Sequence, residues 1–303
     1  MKILIPGGTG FLGGMLCRQL LSHPEQVTVA TRRKQPPSVN FPEYQTVDFD
    51  LTSPNFGMDE ADAFDAVVYL SGVSSSAALA DPHATFEVNS FTPTRLMKYQ
   101  RSLGCTHFIY ASTSHVSDLL AGKIGGASVQ DRSLRLYASS KLAGETLLEN
   151  DNLESTLKLE TIRLNNCFGP PDITFGSDTN GAMNDFCRQA VKTGEIVIKS
   201  SGDIVRTFTP ASFVVDAICK SLFSLQELQS SFTIEDSSVT LTLSEAAQVV
   251  RNTVESLTQR KVNLVIQGKV SDVDESDRLV KSGQVPEKFV DEIAATVSHY
   301  LDI

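Results

Sequence analysis

The chain has 303 residues, enough for a large buried core and for one or two domains. It carries 26 lysines and arginines against 36 acidic residues, which gives a formal net charge of −10 at pH 7. Because no stretch is rich in lysine or arginine, we do not expect this acidic chain to bind nucleic acid or an anionic membrane surface.

The first half alternates short β-branched runs with helical stretches, a pattern typical of a parallel sheet covered by helices on both faces. The predicted helices are residues 12–21, 84–103 and 133–149. The predicted strands are residues 2–6, 26–30, 44–47, 66–70, 107–111 and 159–164. This order predicts an α/β fold with a doubly wound parallel sheet of the Rossmann type.

The composition changes after Gly169, where residues 172–181 are rich in Gly, Asp, Asn and Thr and are predicted to form a loop. Ser244 is predicted to cap a helix that runs through Leu257. Further helices are predicted at 182–193 and 212–225, and strands near 196–199, 231–234 and 262–266. We expect a sheet domain over residues 1–168, to which later segments return, and a smaller C-terminal α/β lobe over 169–303. The two are expected to meet at a cleft.

The five cysteines are scattered, odd in number and without CxxC spacing, which favours reduced thiols in a cytosolic protein. The histidines form no ligand pair such as HExxH, so the sequence predicts no metal site. No run approaches the ~20 consecutive apolar residues that a membrane-spanning helix needs. The chain starts on a strand-like apolar run rather than on a signal peptide. We therefore expect a cytoplasmic location.

A GxxGxxG turn lies between the first predicted strand and the first predicted helix. This spacing lets the chain reverse tightly, approach a pyrophosphate without side chains, and pack the helix on the strand. The unpaired amides and the positive end of the helix dipole would then attract the anion. The strand before the turn and the apolar-periodic helix after it predict a dinucleotide-binding site. Its candidate residues are Gly7, Thr9, Gly10, Phe11, Leu12 and Gly13.

The end of the second strand distinguishes between the two nicotinamide dinucleotides. A carboxylate there would hydrogen-bond the ribose 2′-hydroxyl of NAD, but residues 29–34 read Val-Ala-Thr-Arg-Arg-Lys. Thr31, Arg32 and Arg33 stand where a 2′-phosphate would lie, and arginine suits that group. A solvated basic turn is the alternative interpretation. The sequence favours NADP over NAD.

Tyr137 and Lys141 are four residues apart in a predicted helix and therefore lie on one face. A tyrosine phenol has an ordinary pKa of about 10. A nearby ammonium and the positive ring of an oxidised nicotinamide favour the phenolate, which makes the tyrosine usable as an acid or base near neutrality. The YxxxK pattern alone is common by chance. It gains weight here because an apolar strand ending in the hydroxyls of Ser112 and Thr113 precedes it.

With these ordered motifs the sequence resembles the extended short-chain dehydrogenase/reductase family, the NAD-dependent epimerases, dehydratases and ketoreductases that modify nucleotide sugars. The resemblance runs from Met1 to about Leu257. It implies that Thr113 is the catalytic hydroxyl, with the adjacent Ser112 as the alternative. It also implies that Tyr137 is the acid/base, and that Lys141 lowers the tyrosine pKa and holds the nicotinamide ribose. It also implies further cofactor contacts at Asp50, Leu51, Leu70, Ser71, Gly72 and Asn89.

The resemblance further implies that the C-terminal lobe binds the substrate. Asn166 falls on the family's substrate-contacting asparagine, and Arg206 on the arginine that binds the substrate diphosphate. A surface salt bridge is the alternative for Arg206. Ser112, Ser114 and His115, at the end of the catalytic strand, are the other substrate candidates. His115 either exchanges a proton with a carbon next to a ketone, as an epimerase requires, or only hydrogen-bonds the loop.

The sequence also departs from the family pattern. Family dehydratases carry Asp-Glu directly after the catalytic hydroxyl, where this chain has Ser114 and His115, so we do not expect sugar 4,6-dehydration. Residues 210–213 read Pro-Ala-Ser-Phe in place of a His-Val-Asp-Asp-like run, and residues 117–118 read Ser-Asp in place of Tyr-Gly. These departures weaken any inference about the particular substrate.

These observations lead to the hypothesis of an NADPH-dependent ketoreductase that acts on a nucleotide-linked keto sugar. An epimerase that keeps NAD(P) tightly bound is the first alternative, and a reductase of a non-sugar ketone such as a flavonoid or steroid is another. A non-catalytic NADP-sensing protein is less well supported, because such relatives typically lose the tyrosine or the lysine. The resemblance also implies a homodimer formed through the predicted helices at 84–103 and 133–149.

Overall fold

The computed structural model describes residues 1–21, 26–31, 45–51, 53–171, 181–223, 231–232, 238–268 and 285–302. The chain divides into two compact units. The first comprises Met1–Leu164, Ile173–Ser177 and Val215–Thr233. The second comprises Asn165–Asp172, Asp178–Val214 and Ile234–Ile303.

The first unit is built on a parallel sheet. Within the described residues its strands are β1 (Lys2–Pro6), β2 (Gln26–Thr31), β3 (Gln45–Asp48), β4 (Ala66–Tyr69), β5 (His107–Thr113), β6 (Lys158–Leu164) and β10 (Ser231–Phe232). They lie in the order β10-β6-β5-β4-β1-β2-β3, with parallel neighbours throughout. Strands β4 and β5 are buried along their whole length, as a parallel sheet covered on both faces requires. The predicted doubly wound α/β fold is therefore confirmed.

Helices connect these strands. They are α1 (Phe11–Leu20), α2 (Pro82–Phe86), α3 (Thr92–Ser102), α4 (His115–Leu120) and α5 (Val129–Asn152), with a short 3₁₀ turn at Glu60–Asp62. The sequence predicted one helix over residues 84–103, but a π-helical turn at Glu87–Phe91 separates α2 from α3. Helix α4 was not predicted, because a helix of six residues is too short to show an apolar period.

Two buried tyrosines support the π-helical turn from the sheet below it. The hydroxyl of Tyr69 in β4 donates to the carbonyl of Val88 at 2.7 Å, and that of Tyr110 in β5 donates to the carbonyl of Asn89 at 2.5 Å. A π turn breaks the regular i to i−4 ladder, so its carbonyls benefit from external donors. These contacts are long-range in sequence, so local periodicity could not reveal the interruption.

In its described residues the second unit contains two small sheets. Strands β7 (Asn166–Phe168), β9 (Val205–Pro210) and β11 (Val239–Thr242) lie in the order β11-β9-β7, and β8 (Glu195–Ile198) pairs with β12 (Asn263–Ile266). Its helices are α6 (Ala182–Thr193), α8 (Leu243–Thr258) and α9 (Glu287–Leu301). Helix α7 (Ala211–Phe223) begins in this unit and ends in the first. An apolar core fills the unit, in which the rings of Phe168 and Phe289 meet edge to face at 4.7 Å.

One detail of this half differs from the sequence prediction. Ser244 was predicted as a helix N-cap, which is wrong. Thr242 caps α8: its hydroxyl accepts from the Glu245 amide at 3.1 Å, and the Glu245 carboxylate accepts from the Thr242 amide at 2.8 Å. This capping box satisfies two orphan donors at once, which a cap two residues later could not do. Residues 172–180 of the predicted loop lie outside the described residues.

Gly144 allows helix α5 to approach the π-helical turn closely. A Cβ atom there would lie 2.5 Å from the Asn89 carbonyl oxygen and 2.6 Å from the Tyr110 hydroxyl. We expect Gly144→Ala to lower the free energy of unfolding by about 1–2 kcal/mol, because overpacking outweighs the better helix propensity of alanine. Urea unfolding of the purified variant measures this.

Gly125→Ala is the matched control for this substitution. A Cβ atom at Gly125 meets nothing within 4 Å, so its unfolding free energy should stay within about 0.5 kcal/mol of the wild-type value. An equal or higher stability of Gly144→Ala would show that the close approach does not constrain the helix.

Candidate functional site

A cavity of about 520 Å³ opens in the first unit at the carboxyl ends of its central strands. It lies where β1 and β4 are neighbours and their connections leave in opposite directions, the position at which open α/β sheets bind ligands. The residues that line it are Gly7, Thr9, Gly10, Ala30, Phe49, Leu51, Tyr69, Leu70, Ser71, Gly72 and Val88. Seven of them were predicted as cofactor contacts; Ala30, Phe49, Tyr69 and Val88 were not.

The glycine turn forms one wall of this cavity. Gly7 has φ +87°, and a Cβ atom there would lie 2.6 Å from the Ser71 amide nitrogen, so no larger residue fits. A Cβ atom at Gly13 would overlap the Gly7 carbonyl oxygen. Gly10 is the N-cap of α1, and no side chain caps that helix end. The first turn of α1, with the half-buried Phe11 and Leu12, therefore keeps amides for an anion.

The wall after β3 is apolar. Phe49 is buried and stacks on Phe56 with the ring centroids 4.9 Å apart, while Leu51 is half-buried. Asp50 is exposed between them, and its amide donates to the Phe56 carbonyl at 3.2 Å. Thr31 is the last residue of β2, whereas Arg32 and Arg33 lie outside the described residues. The choice between NADP and NAD therefore stays a prediction from the sequence.

Asn89 connects the loop after β4 to helix α5. Its side-chain oxygen accepts from the Val73 amide at 2.9 Å, and its amide group donates to the Val73 carbonyl at 3.2 Å and to the Ser140 hydroxyl at 2.9 Å. A Cβ atom at Gly72 would lie 3.2 Å from the Asn89 side-chain oxygen and 3.4 Å from the Lys141 ammonium. The cavity wall at Gly72 thus lies against the predicted catalytic lysine.

Lys141 is buried, with 4% of its surface exposed. Its ammonium donates to the carbonyl of Ala111 in β5 at 2.7 Å and lies 4.8 Å from the centre of the Tyr110 ring. Burial lowers the pKa of Lys141 to about 7, and the nearby Glu145 carboxylate opposes that shift. Tyr137 is half-buried one helical turn earlier on the same face. The Lys141 ammonium, which can gain or lose its proton near pH 7, therefore lies on the same helix face as the Tyr137 phenol.

Thr113, the third predicted catalytic residue, is the last residue of β5 and is 4% exposed. Its hydroxyl oxygen accepts from the His115 amide at 3.4 Å. The strand was predicted to end at residue 111, but it continues to Thr113. Because β5 and β6 stay paired over this extension, the hydroxyl is held by the sheet rather than by a loop.

The sequence analysis missed Glu145. This carboxylate is 3% exposed, and it accepts hydrogen bonds from the Ser112 hydroxyl and from the Arg163 guanidinium at 3.1 and 2.6 Å. It raises the pKa of Arg163 through these hydrogen bonds. Ser112 was predicted to contact substrate, and its buried hydroxyl is bound inside the protein. The available signal was spacing, since Glu145 lies one turn after Lys141 on the same face.

The remaining substrate candidates fall in both units. In the first, Ser114 precedes α4 and its amide donates to the Leu164 carbonyl at 2.9 Å, while the His115 ring lies 3.4 Å from the Asp118 carboxylate. In the second, the Asn166 side chain donates to the Thr207 carbonyl at 3.0 Å. Arg206, in β9, donates to the Val205 carbonyl at 3.0 Å.

The β7–β9 register relates the two substrate candidates of the second unit. Asn166 is opposite Phe208, and Arg206 lies two residues before Phe208 on β9. Because side chains alternate along a strand, Asn166 and Arg206 occupy the same face of that small sheet.

In the part of the chain that the structure describes, no group of three or more His, Cys, Asp or Glu side chains is arranged to hold a metal ion. No helix in the same residues has the length and apolar character to cross a membrane.

The depressed pKa of Lys141 makes stability depend on pH. The group titrates at about 7 in the folded protein against 10.5 ordinarily, so between these values the unfolded chain binds more protons. Stability is therefore lost as pH falls through this window. The free energy of unfolding of the wild type should rise relative to that of Lys141→Met as pH increases from about 7 to 10. The gain is expected to reach at most about 1.4 kcal/mol per pH unit.

Urea unfolding of both proteins across that pH range measures the difference, in which the titration of all other groups cancels. Lys158→Met is the matched control, because it removes a lysine that is only half-buried and whose ammonium lies 3.4 Å from the Glu160 carboxylate. A constant difference between wild type and Lys141→Met would contradict the pKa assignment.

Comparison with known proteins extends over most of the chain. Protein CapI of Staphylococcus aureus is 24% identical over 239 residues, which cover 73% of this chain and 69% of that protein. The UDP-N-acetylglucosamine 4-epimerase of Methanobrevibacter ruminantium, solved with UDP-N-acetylmuramic acid, superposes with a TM-score of 0.74 at 18% identity, covering 99% and 98% of the two chains. RMD from Pseudomonas aeruginosa, solved with NADPH, gives 0.70 at 18%, covering 99% of both. At these identities the structures show a shared fold.

Family membership rests on a separate match. Residues 3–234 match the NAD dependent epimerase/dehydratase family, a span that contains the glycine turn, the cavity and the Tyr137–Lys141 pair. The expected resemblance is therefore confirmed at the level of the family. The chain belongs to the NAD dependent epimerase/dehydratase family.

Proposed function

We propose that the protein is an NADP-dependent oxidoreductase that reduces the keto group of a nucleotide-linked sugar. One observation carries the proposal: the buried Lys141 ammonium lies against Gly72 in the cavity wall and on the same helix face as Tyr137. A buried lysine is costly unless it has a function or strong partners. A dinucleotide in the cavity would bring its nicotinamide ribose to this ammonium.

The cavity residues fit a dinucleotide. Gly7 and Gly10 leave the backbone open to a diphosphate at the uncapped start of α1. Phe49 and Leu51 offer apolar surface to an adenine ring. Arg32 and Arg33, directly after β2, would hold a 2′-phosphate. RMD from Pseudomonas aeruginosa, which shares the fold, was solved with NADPH.

The reduction follows from the roles of three side chains. When bound, the reduced nicotinamide supplies a hydride to the carbonyl carbon. Thr113 donates a hydrogen bond that polarises the carbonyl oxygen, and Tyr137 transfers its phenolic proton to that oxygen, so that an alcohol forms. Lys141 stabilises the phenolate that remains until solvent reprotonates it. Asn89 and Ser140 keep α5 in place during these steps.

The substrate class rests on Asn166 and Arg206, which share one face of the β11-β9-β7 sheet. A guanidinium and an amide on one face suit a diphosphate. The Methanobrevibacter ruminantium enzyme, which has the same fold, acts on and binds UDP-linked sugars. A homodimer remains an expectation of the family resemblance, and a cytoplasmic location remains an expectation from the cysteines and the N-terminal sequence.

An epimerase with tightly bound NAD(P) is the second candidate. His115 lies 3.4 Å from the Asp118 carboxylate and is partly exposed at the start of α4. A histidine with such a partner could exchange a proton with a carbon next to a ketone. In that reaction the cofactor returns to its initial state, so no net NADPH is consumed.

Removal of the Tyr137 hydroxyl tests the mechanism. We expect Tyr137→Phe to lower kcat by about 10²–10⁴-fold with nucleotide keto sugars, because the proton donor is lost. Loss of NADPH absorbance measures turnover. Tyr99→Phe is the control and should leave turnover unchanged. It removes a hydroxyl on α3 that donates to the Met58 carbonyl at 3.3 Å. Wild-type turnover by Tyr137→Phe would contradict the proposed mechanism and favour a non-catalytic role for the protein.

The arginine pair tests the choice of cofactor. We expect Arg32→Ala/Arg33→Ala to raise KM for NADPH by about 10-fold or more and to leave KM for NADH nearly unchanged, because two charge-assisted bonds to the 2′-phosphate disappear. The exposed Arg132→Ala is the control. Mass spectrometry of the purified wild type completes the test. Retained NAD without net NADPH consumption would instead support the epimerase.

A further inference from the structure

Glu145 lies buried where α5, β5 and β6 meet. We propose that Glu145 is a positioning residue for the reaction: its carboxylate fixes the strand end that carries Thr113 to the helix that carries Tyr137 and Lys141. The inference rests on the proposed function, which supplies the roles of those three residues.

The hydrogen bonds of Glu145 join three elements. Oε1 accepts from the Ser112 hydroxyl of β5 and from Arg163 Nε of β6 at 3.1 Å, while Oε2 accepts from Arg163 Nη2 at 2.6 Å. Ser112 and Arg163 are themselves register partners in the β5–β6 ladder. Ser112 directly precedes Thr113, and Glu145 lies one helical turn after Lys141. A single carboxylate therefore sets the spacing between the catalytic strand end and the catalytic helix.

A second contact extends this network to α4. Arg163 Nη1 donates to the Ser117 hydroxyl at 3.3 Å. Helix α4 begins at His115, whose amide donates to the Thr113 hydroxyl oxygen. Thr113 is thus held in its own strand through its neighbour Ser112, which bonds to Glu145. It is also held by the following helix, which bonds to Arg163. Loss of the carboxylate would loosen both supports.

The charge of Glu145 matters as well as its shape. The groups that interact with this network are Lys141 and Glu149 of α5, Tyr110 of β5 and Arg163 of β6. Lys141 and Arg163 are cations, and Glu145 is the carboxylate that raises the pKa of both. An amide in its place keeps the size of the side chain but removes the negative charge. The pKa of Lys141 would then fall further, so the ammonium that supports the phenolate would lose its proton at a lower pH.

Glu145→Gln provides the main test. We expect kcat to fall about 10–100-fold with KM for the keto sugar within about threefold, because the reacting groups are misplaced while the substrate lobe is unchanged. The alkaline limb of the kcat/KM profile should move to lower pH, because Lys141 loses its proton earlier once the carboxylate is gone. A merely structural residue would not move that limb. Glu154→Gln, which removes an exposed carboxylate beyond the end of α5, should alter neither quantity.

A measurement of unfolding, which does not depend on turnover, accompanies this test. In the Glu145→Gln background, the pH window over which the chain gains stability relative to its own Lys141→Met variant should begin below pH 7, because the carboxylate that opposes the Lys141 shift is gone. An unchanged window would overturn the link between Glu145 and Lys141.

Two further variants keep the proposal testable if Glu145→Gln does not fold. Arg163→Lys retains both charges but loses the two-pronged hydrogen bond, so kcat should fall about 10-fold with an unmoved pH limb. Ser112→Ala removes only the link to β5, and kcat should again fall with the pH limb unmoved. Full kcat in both variants would overturn the positioning role.

The two proposals fail in different ways. If Tyr137→Phe abolishes turnover while Glu145→Gln retains the wild-type kcat and pH limb, the role of Glu145 is wrong and the proposed function stands. If Tyr137→Phe turns over normally, the proposed function is wrong, and the unfolding experiment alone then decides whether Glu145 acts on Lys141.

Discussion

The burial of one ammonium group determines how the first unit is arranged. Lys141 is 4% exposed, and an isolated ammonium in such surroundings would lose its charge or destabilise the fold. The Ala111 carbonyl, the face of the Tyr110 ring and the Glu145 carboxylate together compensate. The compensation is incomplete, which leaves the pKa at about 7 rather than at its ordinary value. A group that titrates there can serve acid–base chemistry near neutrality.

The close approach of α5 to the sheet makes this burial possible. Gly144 has no side chain to hold the helix away from the π-helical turn, and Asn89 in that turn bonds both to Ser140 and to the loop after β4. Tyr69 and Tyr110 in turn hold the carbonyls of the π-helical turn. Helix α5, the cavity wall and the strand ends are therefore parts of one packed network, in which a shift of one would move the others.

The backbone and the side chains contribute different groups to the surroundings of the cavity. Backbone amides and glycines form the wall at the start of α1, where an anion can approach closely. Titratable side chains lie at the other end, beyond Gly72. The cavity thus has main-chain groups at one end and titratable side chains at the other.

Local patterns in the sequence determined the alternation of strands and helices, the glycine turn and the Tyr137–Lys141 spacing, because each depends on residues close together in the chain. The strong apolar runs of β1, β4 and β5 were predicted nearly to their ends. Only the tertiary structure decided the π-helical turn, the extension of β5 to Thr113 and the partners of Glu145. The Glu145 carboxylate meets Arg163 from another strand, and the Asn89 carbonyl meets a tyrosine 21 residues away. Such contacts depend on which elements pack together, and no periodicity within one element carries that information.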